Sequence, residues 1–298
     1  HRRDIIRAGF VVTGVEFLLL FPSLFLESVK LKEVGKYFLY SFISGGGISI
    51  VVLGVLPFFE SVFDLVSPIR LIELADFNQD LLKKLAQEAP GTYHHSLVVA
   101  TLAEAASDKI GANTVLARVG AYYHDIGKLY KPEYFIENTE GGKSKHEELE
   151  PKMSGLIIIG HVKEGVKLAK RYKLPNVIID FIKEHHGTSV MHYFYMKSMK
   201  NGKKEVSDIE FRYPGPKPHT KETALVMLAD SVEAAVRAIE KPTFERIREV
   251  VLKVINNKFI DGQLDECPLT LKDLHKIGDS FIHTLTTIHH PRVEYPNG

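Results

Sequence analysis

The sequence has almost no cysteine: Cys267 is its single thiol. One cysteine cannot build a disulfide framework within a chain, and it excludes any cysteine-rich zinc site. Excess charge is lacking too, with Lys+Arg 38 against Asp+Glu 37 and a net charge of +1. A general nucleic-acid binder would carry a basic surplus, so a nucleic-acid polymer is not expected as a partner. Strand-like alternation, internal repeats and low-complexity tracts are missing as well, which argues against sheet and solenoid folds. The first residue is His1 rather than Met, and the chain is expected to be a piece of a longer protein. What is there is 45% hydrophobic and 25% charged over 298 residues, enough for one large domain or two ordinary ones.

The apolar residues are unevenly spread. Residues 8–26 carry one charge, Glu16, and residues 37–59 carry none. A bilayer core of about 30 Å needs ~20 apolar residues in a helix. The second stretch meets that need comfortably; the first meets it only just, because of Glu16 and Pro22. Two successive stretches, without a small-residue cleavage site after the first, argue against a signal peptide. Ser44-Gly45-Gly46-Gly47 lies mid-span, where small residues let helices approach closely in lipid or let a helix kink. Residues 1–66 are therefore expected to form a transmembrane hairpin in a multi-pass cell-membrane protein. Arg2, Arg3 and Arg7 favour the cytoplasm for the rest of the chain, nearly balanced by Lys30, Lys32 and Lys36 in the connecting loop.

Beyond residue 66 the apolar spacing is helical, so the fold is expected to be all-α. Ser67-Pro68 reads as an N-cap followed by Pro in the first turn. Further helices are expected over 79–88, 92–110, 113–125, 151–172, 175–186, 221–239, 243–259 and 270–288. Residues 131–150 and 201–220 read as loops, and 291–298 as a short tail.

Fourteen histidines are many for this length. His95, the pair His124-Asp125, His161, the pair His185-His186, and Asp230 fall at or near helix ends. Five imidazoles and two carboxylates suit first-row transition metals better than Mg²⁺ or Ca²⁺. Seven ligands exceed the four of one structural zinc and suit two metals sharing a carboxylate. Neighbours on a regular helix point about 100° apart, so each adjacent pair needs a helix end; Gly127 and Gly187 are placed to supply them. His1, His94, His146, His192, His219, His275, His283, His289 and His290 are expected at surface or supporting positions, with His94 the nearest decoy for His95. Cys267 is expected to be structural.

The strings HHS (94–96), HDIGK (124–128), EHHG (184–187) and LADS (228–231) resemble the HD phosphohydrolase superfamily. The longer strings APGTYHHSLVVATLAEAA (89–106), RVGAYYHDIGKLYKPEYFIEN (118–138) and FRYPGPKPHTKETALVMLADSVEAAVR (211–237) closely resemble the seven-transmembrane proteins with an intracellular HD domain, the PgpH-type family of cyclic di-AMP phosphodiesterases. The resemblance runs from about residue 37 to the end. It implies a cytoplasmic HD domain over 67–298, a helical bundle behind the last two membrane spans. It implies two divalent transition-metal ions, Fe or Mn. His95, His124, Asp125 and Asp230 would hold the first and His161, His185 and His186 the second, with Asp125 bridging.

The activity this implies is hydrolysis of cyclic di-AMP to pApA by a hydroxide held between two metals, whose pKa such ions lower toward ~7. Lys128, three residues past the HD pair, is expected to reach a phosphate oxygen. Tyr213 and Lys217, in the loop YPGPKP, are candidates for adenine stacking and phosphate pairing, or for an ordinary rigid loop. Arg237 is a candidate phosphate contact or a helix-internal salt bridge to Glu233. The lipid bilayer is an expected partner, and a homodimer suits the receptor-like architecture. Three rivals remain. A cyclic di-GMP enzyme of the HD-GYP kind should carry GYP after its paired histidines, where this chain reads GTSVMHYFYMKSM. A silent nucleotide-sensing receptor should have lost ligands. A transporter fragment rests on Glu16 alone.

Overall fold

In a computed structural model, residues 2–26, 31–139, 145–200 and 207–289 are described. His1, Lys30, Gly141-Gly142, most of the first half of the 201–220 loop, His290 and the tail 291–298 lie outside them. Among the described residues the secondary structure is helical, with one isolated antiparallel bridge, Val190 to Arg212. The chain divides into two compact units, His1–Glu73 and Leu74–Gly298.

The first unit pairs α1 (Arg2–Leu26) with α2 (Leu31–Phe63). Small and hydroxyl residues hold the two together. Thr13 donates to the Ser41 carbonyl at 3.2 Å, and Ser49 to that of Ile5 at 3.2 Å. A Cβ on Gly9 would fall 2.6 Å from the Gly45 carbonyl, so glycine is what permits this approach. Gly46 and Gly47 have open space where a side chain would go. Within α2 the stretch Glu33–Glu60 is long and apolar enough to cross a membrane, with a mean hydropathy of 2.1 and 11% of that window buried. The other expected span, 8–26, lies in α1, where several side chains fall outside the described residues. The short α3 (Pro68–Leu74) follows, its Arg70 N–H capped by Ser67 Oγ at 3.2 Å.

The second unit is a bundle of α4 (Asp80–Glu88), α5 (Pro90–Ile110), α6 (Thr114–Tyr123), α7 (Pro151–Arg171), α8 (Asn176–Glu184), α9 (His192–Lys200), α10 (Lys221–Arg237), α11 (Phe244–Ile260) and α12 (Leu271–Ile288). Its starts are chemically marked. Asn113 caps α6, Thr243 caps α11, and Thr220 and Thr270 form capping boxes on α10 and α12. The core runs along α10, whose residues 224–229 are fully buried among Val99, Leu102 and Ala103 of α5 and Ile277 and Phe281 of α12. Cys267 is buried there, donating to the Leu264 carbonyl.

Three expectations need correction. The 131–150 segment is not plain loop: tight 3-10 turns occupy Pro132–Tyr134, Ile136–Asn138 and Lys145–Glu147. α9 was not foreseen, because HYFYMKSMK spreads aromatic, Met and Lys residues without a clean stripe. His146 is not a surface residue; it is buried between Tyr134 and Phe194.

Candidate metal centre

The site is assembled from the ends and middles of five helices. Pro90 opens α5, and its first turn is clasped by residues 137 and 138. Asn138 Oδ1 accepts from the Thr92 N–H at 3.0 Å, and Thr92 Oγ1 donates to Glu137 Oε1 at 3.2 Å. Gly91 has no room for a side chain against the Glu137 carbonyl. One turn on, His95 is buried while His94 is exposed.

α6 stops at Tyr123 and leaves His124 and Asp125 at its end. The expectation that Gly127 supplies this helix end needs correction: the helix has ended four residues earlier, and Gly127 lies in the 3-10 segment Ile126–Tyr130 with ordinary φ. Its role is close approach. A Cβ there would fall 2.6 Å from the Gly165 nitrogen and nearer still to the His161 carbonyl. The backbone of α7 thus presses on the HD turn and delivers His161 beside Asp125. Gly187 does take the left-handed conformation, φ 53°, and turns the chain after His185-His186. Asp230 comes from mid-α10.

Four of the five imidazoles are oriented alike, while His186 turns its Nδ1 toward Asp230 Oδ2, 3.5 Å away. Nδ1 of His124 donates to the Ala121 carbonyl at 2.7 Å and Nδ1 of His185 to that of Ile182 at 2.9 Å. His161 Nδ1 uses the Ile158 carbonyl, and His95 Nδ1 the Glu233 carboxylate. In His124, His161 and His185 the bond fixes the proton on Nδ1 and turns the Nε2 lone pair inward, the arrangement that metal-ligating histidines show; His95, with a carboxylate at each nitrogen, holds both protons until a cation displaces the one on Nε2. The lone pairs then face one another: His161 Nε2 and His185 Nε2 are 3.2 Å apart. His124 Nε2 and Asp125 Oδ1 are buried without a hydrogen-bond partner. Buried acceptors left facing acceptors are costly unless a cation lies between them.

Asp125 divides its two oxygens. Oδ1 faces His161 Nε2 at 3.3 Å and His185 Nε2 at 3.6 Å; Oδ2 faces His124 Nε2 at 3.3 Å and His95 Nε2 at 3.6 Å. His95 Nε2 also lies 3.1 Å from Asp230 Oδ1. Two donor groups result, His95, His124, Asp125 and Asp230, and Asp125, His161, His185 and His186, each with its donor atoms within 4.8 Å of one another. The seven residues singled out by spacing are thus brought together, and the cluster is able to bind metal ions.

Burial drives the protonation states. It pushes His185 down to about 4 and His186 well below the usual histidine range. Burial would lower His95 as well, but its bonds to Asp230 and Glu233 outweigh that and raise it to about 9. Asp125 and Asp230 resist burial through their cationic and imidazole neighbours and stay well below the carboxylate range. The site thus holds anionic Asp125 and Asp230 beside neutral His185 and His186, a condition that favours a divalent cation.

The other expected residues surround this core. Lys128 Nζ sits 2.7 Å from Asp125 Oδ2 and 2.6 Å from Glu137 Oε1. Tyr213 stacks on the His186 ring, centroids 4.1 Å apart and planes 28° from parallel. Lys217 pairs with Asp265 at 3.7 Å, and Arg237 with Glu233 at 3.3 Å. Glu233 and Glu137 were not read as site residues, although each holds one: Glu233 supports His95, and Glu137 supports Lys128. The signal for Glu233 was its place one turn after Asp230.

Residues 92–235 match the HD domain family, and residues 1–67 match the family described as 7TM receptor with intracellular HD hydrolase. The chain is 44% identical, over 99% of its length, to the cyclic-di-AMP phosphodiesterase PgpH of Bacillus subtilis, and 44% identical over all of it to PgpH of Listeria monocytogenes. It covers 42% of each, so it spans about two-fifths of the curated relatives it matches. The crystal structure of the L. monocytogenes PgpH HD domain in complex with cyclic-di-AMP is 47% identical, with a TM-score of 0.68, covering 72% of this chain and 99% of that one. This chain belongs to the PgpH family of HD hydrolases. The 7TM match falls within the first unit, and all seven residues of the His/Asp cluster fall inside the matched HD domain.

Proposed function

We propose that this chain is the membrane-anchored catalytic part of a dinuclear-metal phosphodiesterase that hydrolyses cyclic di-AMP to pApA. The observation that carries the proposal is the pair of four-residue donor groups sharing Asp125, in a chain 47% identical to an HD domain crystallised with cyclic-di-AMP. The first group, His95, His124, Asp125 and Asp230, holds one ion. The second, His161, His185 and His186 with Asp125, holds the other. The imidazole-rich donor set suits first-row transition metals over Mg²⁺ or Ca²⁺, and the resemblance to the family favours Fe or Mn among them. When bound, two such ions supply Lewis-acid polarisation of a phosphodiester oxygen and acidify water at neutral pH.

The protein's own residues do the rest. In the reaction a water oxygen joins phosphorus, the P–O3′ bond breaks, and a proton passes to the ribose 3′ oxygen. Lys128, between Asp125 and Glu137, is held above the ordinary lysine range by those carboxylates against the opposing effect of burial. It is therefore a fixed cation and not a base: it steadies Asp125 and offers an N–H to a phosphate oxygen. Tyr213, whose phenol burial keeps protonated, braces His186 by stacking and presents an aromatic edge beside the site for adenine. Lys217 lies on the same loop and adds positive charge for phosphate. Arg237, engaged with Glu233, acts on the donor set rather than on substrate. α1 and α2 anchor the catalytic unit at the cytoplasmic face of a multi-pass protein, where a cytosolic dinucleotide is within reach, and a homodimer suits a receptor of this build.

The test is hydrolysis of cyclic di-AMP and cyclic di-GMP by the detergent-solubilised chain loaded with Mn²⁺ or Fe²⁺, beside Asp125→Ala. Metal-dependent conversion of cyclic di-AMP to pApA, lost in the variant, supports the proposal. Turnover of cyclic di-GMP alone would overturn the substrate, and bound metal with neither nucleotide cut would favour a sensing role.

A further inference from the structure

A cyclic dinucleotide carries two phosphodiesters in one ring. While one is being cut at the metal centre, the other must lie a short distance away, and a dianionic ligand needs a second cation there. Around the centre, most cations are already engaged with carboxylates. Lys128 is shared by Asp125 and Glu137, Lys217 is paired with Asp265, Arg237 with Glu233, and Arg212 with Asp208 and Asp261.

Lys258, in the last turn of α11, differs. It is half-buried, and its Nζ donates to Ser189 Oγ at 2.7 Å. Among the described residues no carboxylate lies within ion-pair distance of it, in contrast to the other four cations. Burial lowers its pKa, opposed by the more distant charges of Asp230 and Asp261, so the ammonium is within electrostatic reach of a residue of the metal centre. A half-buried ammonium resting on a neutral hydroxyl lacks a counter-ion, and an incoming anion would supply it.

Its position is rigid. Ser189 belongs to the turn that follows His186, with its N–H on the His186 carbonyl at 3.1 Å and its own carbonyl taking the Tyr213 N–H at 3.0 Å. Gln263, just past α11, clamps the same turn: its Oε1 accepts from the Thr188 N–H at 2.8 Å, and its Nε2 donates to Thr188 Oγ1 at 3.0 Å. Arg212 adds a bond to the Thr188 carbonyl at 2.9 Å. The turn after His186, with Tyr213 hydrogen-bonded to it, is therefore tied to the segment bearing Lys258, and the ammonium is placed beside that turn before any ligand arrives.

We propose that Lys258 and Ser189 form a second phosphate subsite, which holds the phosphodiester of the cyclic dinucleotide that is not being cut. This rests on the cyclic-dinucleotide reading above. The subsite selects for substrates with two phosphates and leaves hydrolysis of a simple diester untouched.

The experiment compares the Mn²⁺-loaded full chain with Lys258→Met and Lys258→Arg in detergent. Cyclic di-AMP is assayed beside bis(p-nitrophenyl) phosphate, which has one phosphate and no second anchor. For Lys258→Met, KM for cyclic di-AMP should rise about tenfold, the usual scale of one lost charge-assisted hydrogen bond. Its kcat should change little, and bis(p-nitrophenyl) phosphate turnover and metal content should stay at wild-type levels. Lys258→Arg should recover most of the loss. An equal loss on both substrates would make Lys258 a brace for the metal loop and overturn the proposal, as would no change on either. If the wild-type chain cuts the simple diester but not cyclic di-AMP, the substrate reading itself fails, and the subsite falls with it; that failure appears in the wild type, whereas a failure of the subsite alone appears only in the variants.

Discussion

The two units of the chain are built inside out with respect to each other. In the N-terminal unit apolar side chains face outward, with Leu19 74% and Ile50 73% exposed, while Thr13, Ser41 and Ser49 are buried between the helices. In the C-terminal unit Val99, Leu102 and Phe281 are fully buried, and a polar cluster lies among them. Lipid offers no hydrophobic reward for burying a leucine, so helices there associate through close backbone approach and hydroxyl bonds. Water does offer that reward, and the C-terminal unit uses it to enclose seven metal-type donors at full burial cost. Apolar packing is thus the surface of one unit and the enclosure of a reactive centre in the other.

Several measurements would break or sharpen that contrast. The largest effect is expected from Asp125→Ala, which removes the carboxylate shared by both donor groups. Hydrolysis should fall by more than about 10³-fold, and elemental analysis should find both ions depleted. Replacing Glu233 by Gln is expected to be milder, because it acts on His95 through one hydrogen bond. Metal affinity should drop about 10–100-fold, read by competition with a chelating dye, with the far-ultraviolet helix signal unchanged.

Gly127→Ala should push α7 away from the HD turn, at a cost of about 1–3 kcal/mol. The metal-to-protein ratio should fall selectively as His161 retreats; a variant that melts like wild type and keeps its full metal content would refute the close-approach argument. Gly45→Leu is the counterpart in the other unit, placing a side chain against Thr13 and Gly9. It should separate α1 from α2, seen as altered proteolysis of the hairpin in detergent, while metal content stays the same. A loss of metal would show that the two units are not independent.

The smallest effect concerns pH in the metal-free protein. His95 is raised to about 9, so its stabilising contribution is complete below the ordinary value of 6.5 and is lost as pH rises through 9. His185 is depressed to about 4, so its contribution is complete above 6.5 and is lost as pH falls toward 4. The metal-free melting temperature should therefore peak near pH 6.5 and decline on both sides. With metal bound, the alkaline limb should flatten, because the cation takes the place of the extra proton on His95, while the acid limb should steepen as protons compete with the cation for the imidazoles.

Much of this was legible in the residue order. Paired histidines and aspartates next to glycine, and caps such as Thr220 and Thr270 ahead of apolar periodicity, are local signals. The parts that escaped depend on contacts distant in sequence. Glu137 and Glu233 look like surface acids until Lys128 and His95 are brought to them. Lys258 is one of many lysines until the charges of its neighbours are counted off. Gly127 looked like a helix terminator because a glycine after a helix usually is one; only the passage of α7 over it reveals a steric reason instead. α9 was missed because Tyr193, Met196 and Met199 face outward and the residues it buries are Phe194 and Ser198, which leave no apolar stripe to read.

Asp125, with one oxygen turned to each donor group, has a consequence for supply. Neither group can fill without engaging a carboxylate that the other also needs, and an ion on one side fixes that carboxylate in place for the second. Loading of the two proposed ions would then be cooperative. On the two-metal proposal, molecules in scarce metal would divide into empty and fully charged ones with few in between, and the filled fraction would be a steep gauge of the free metal around them.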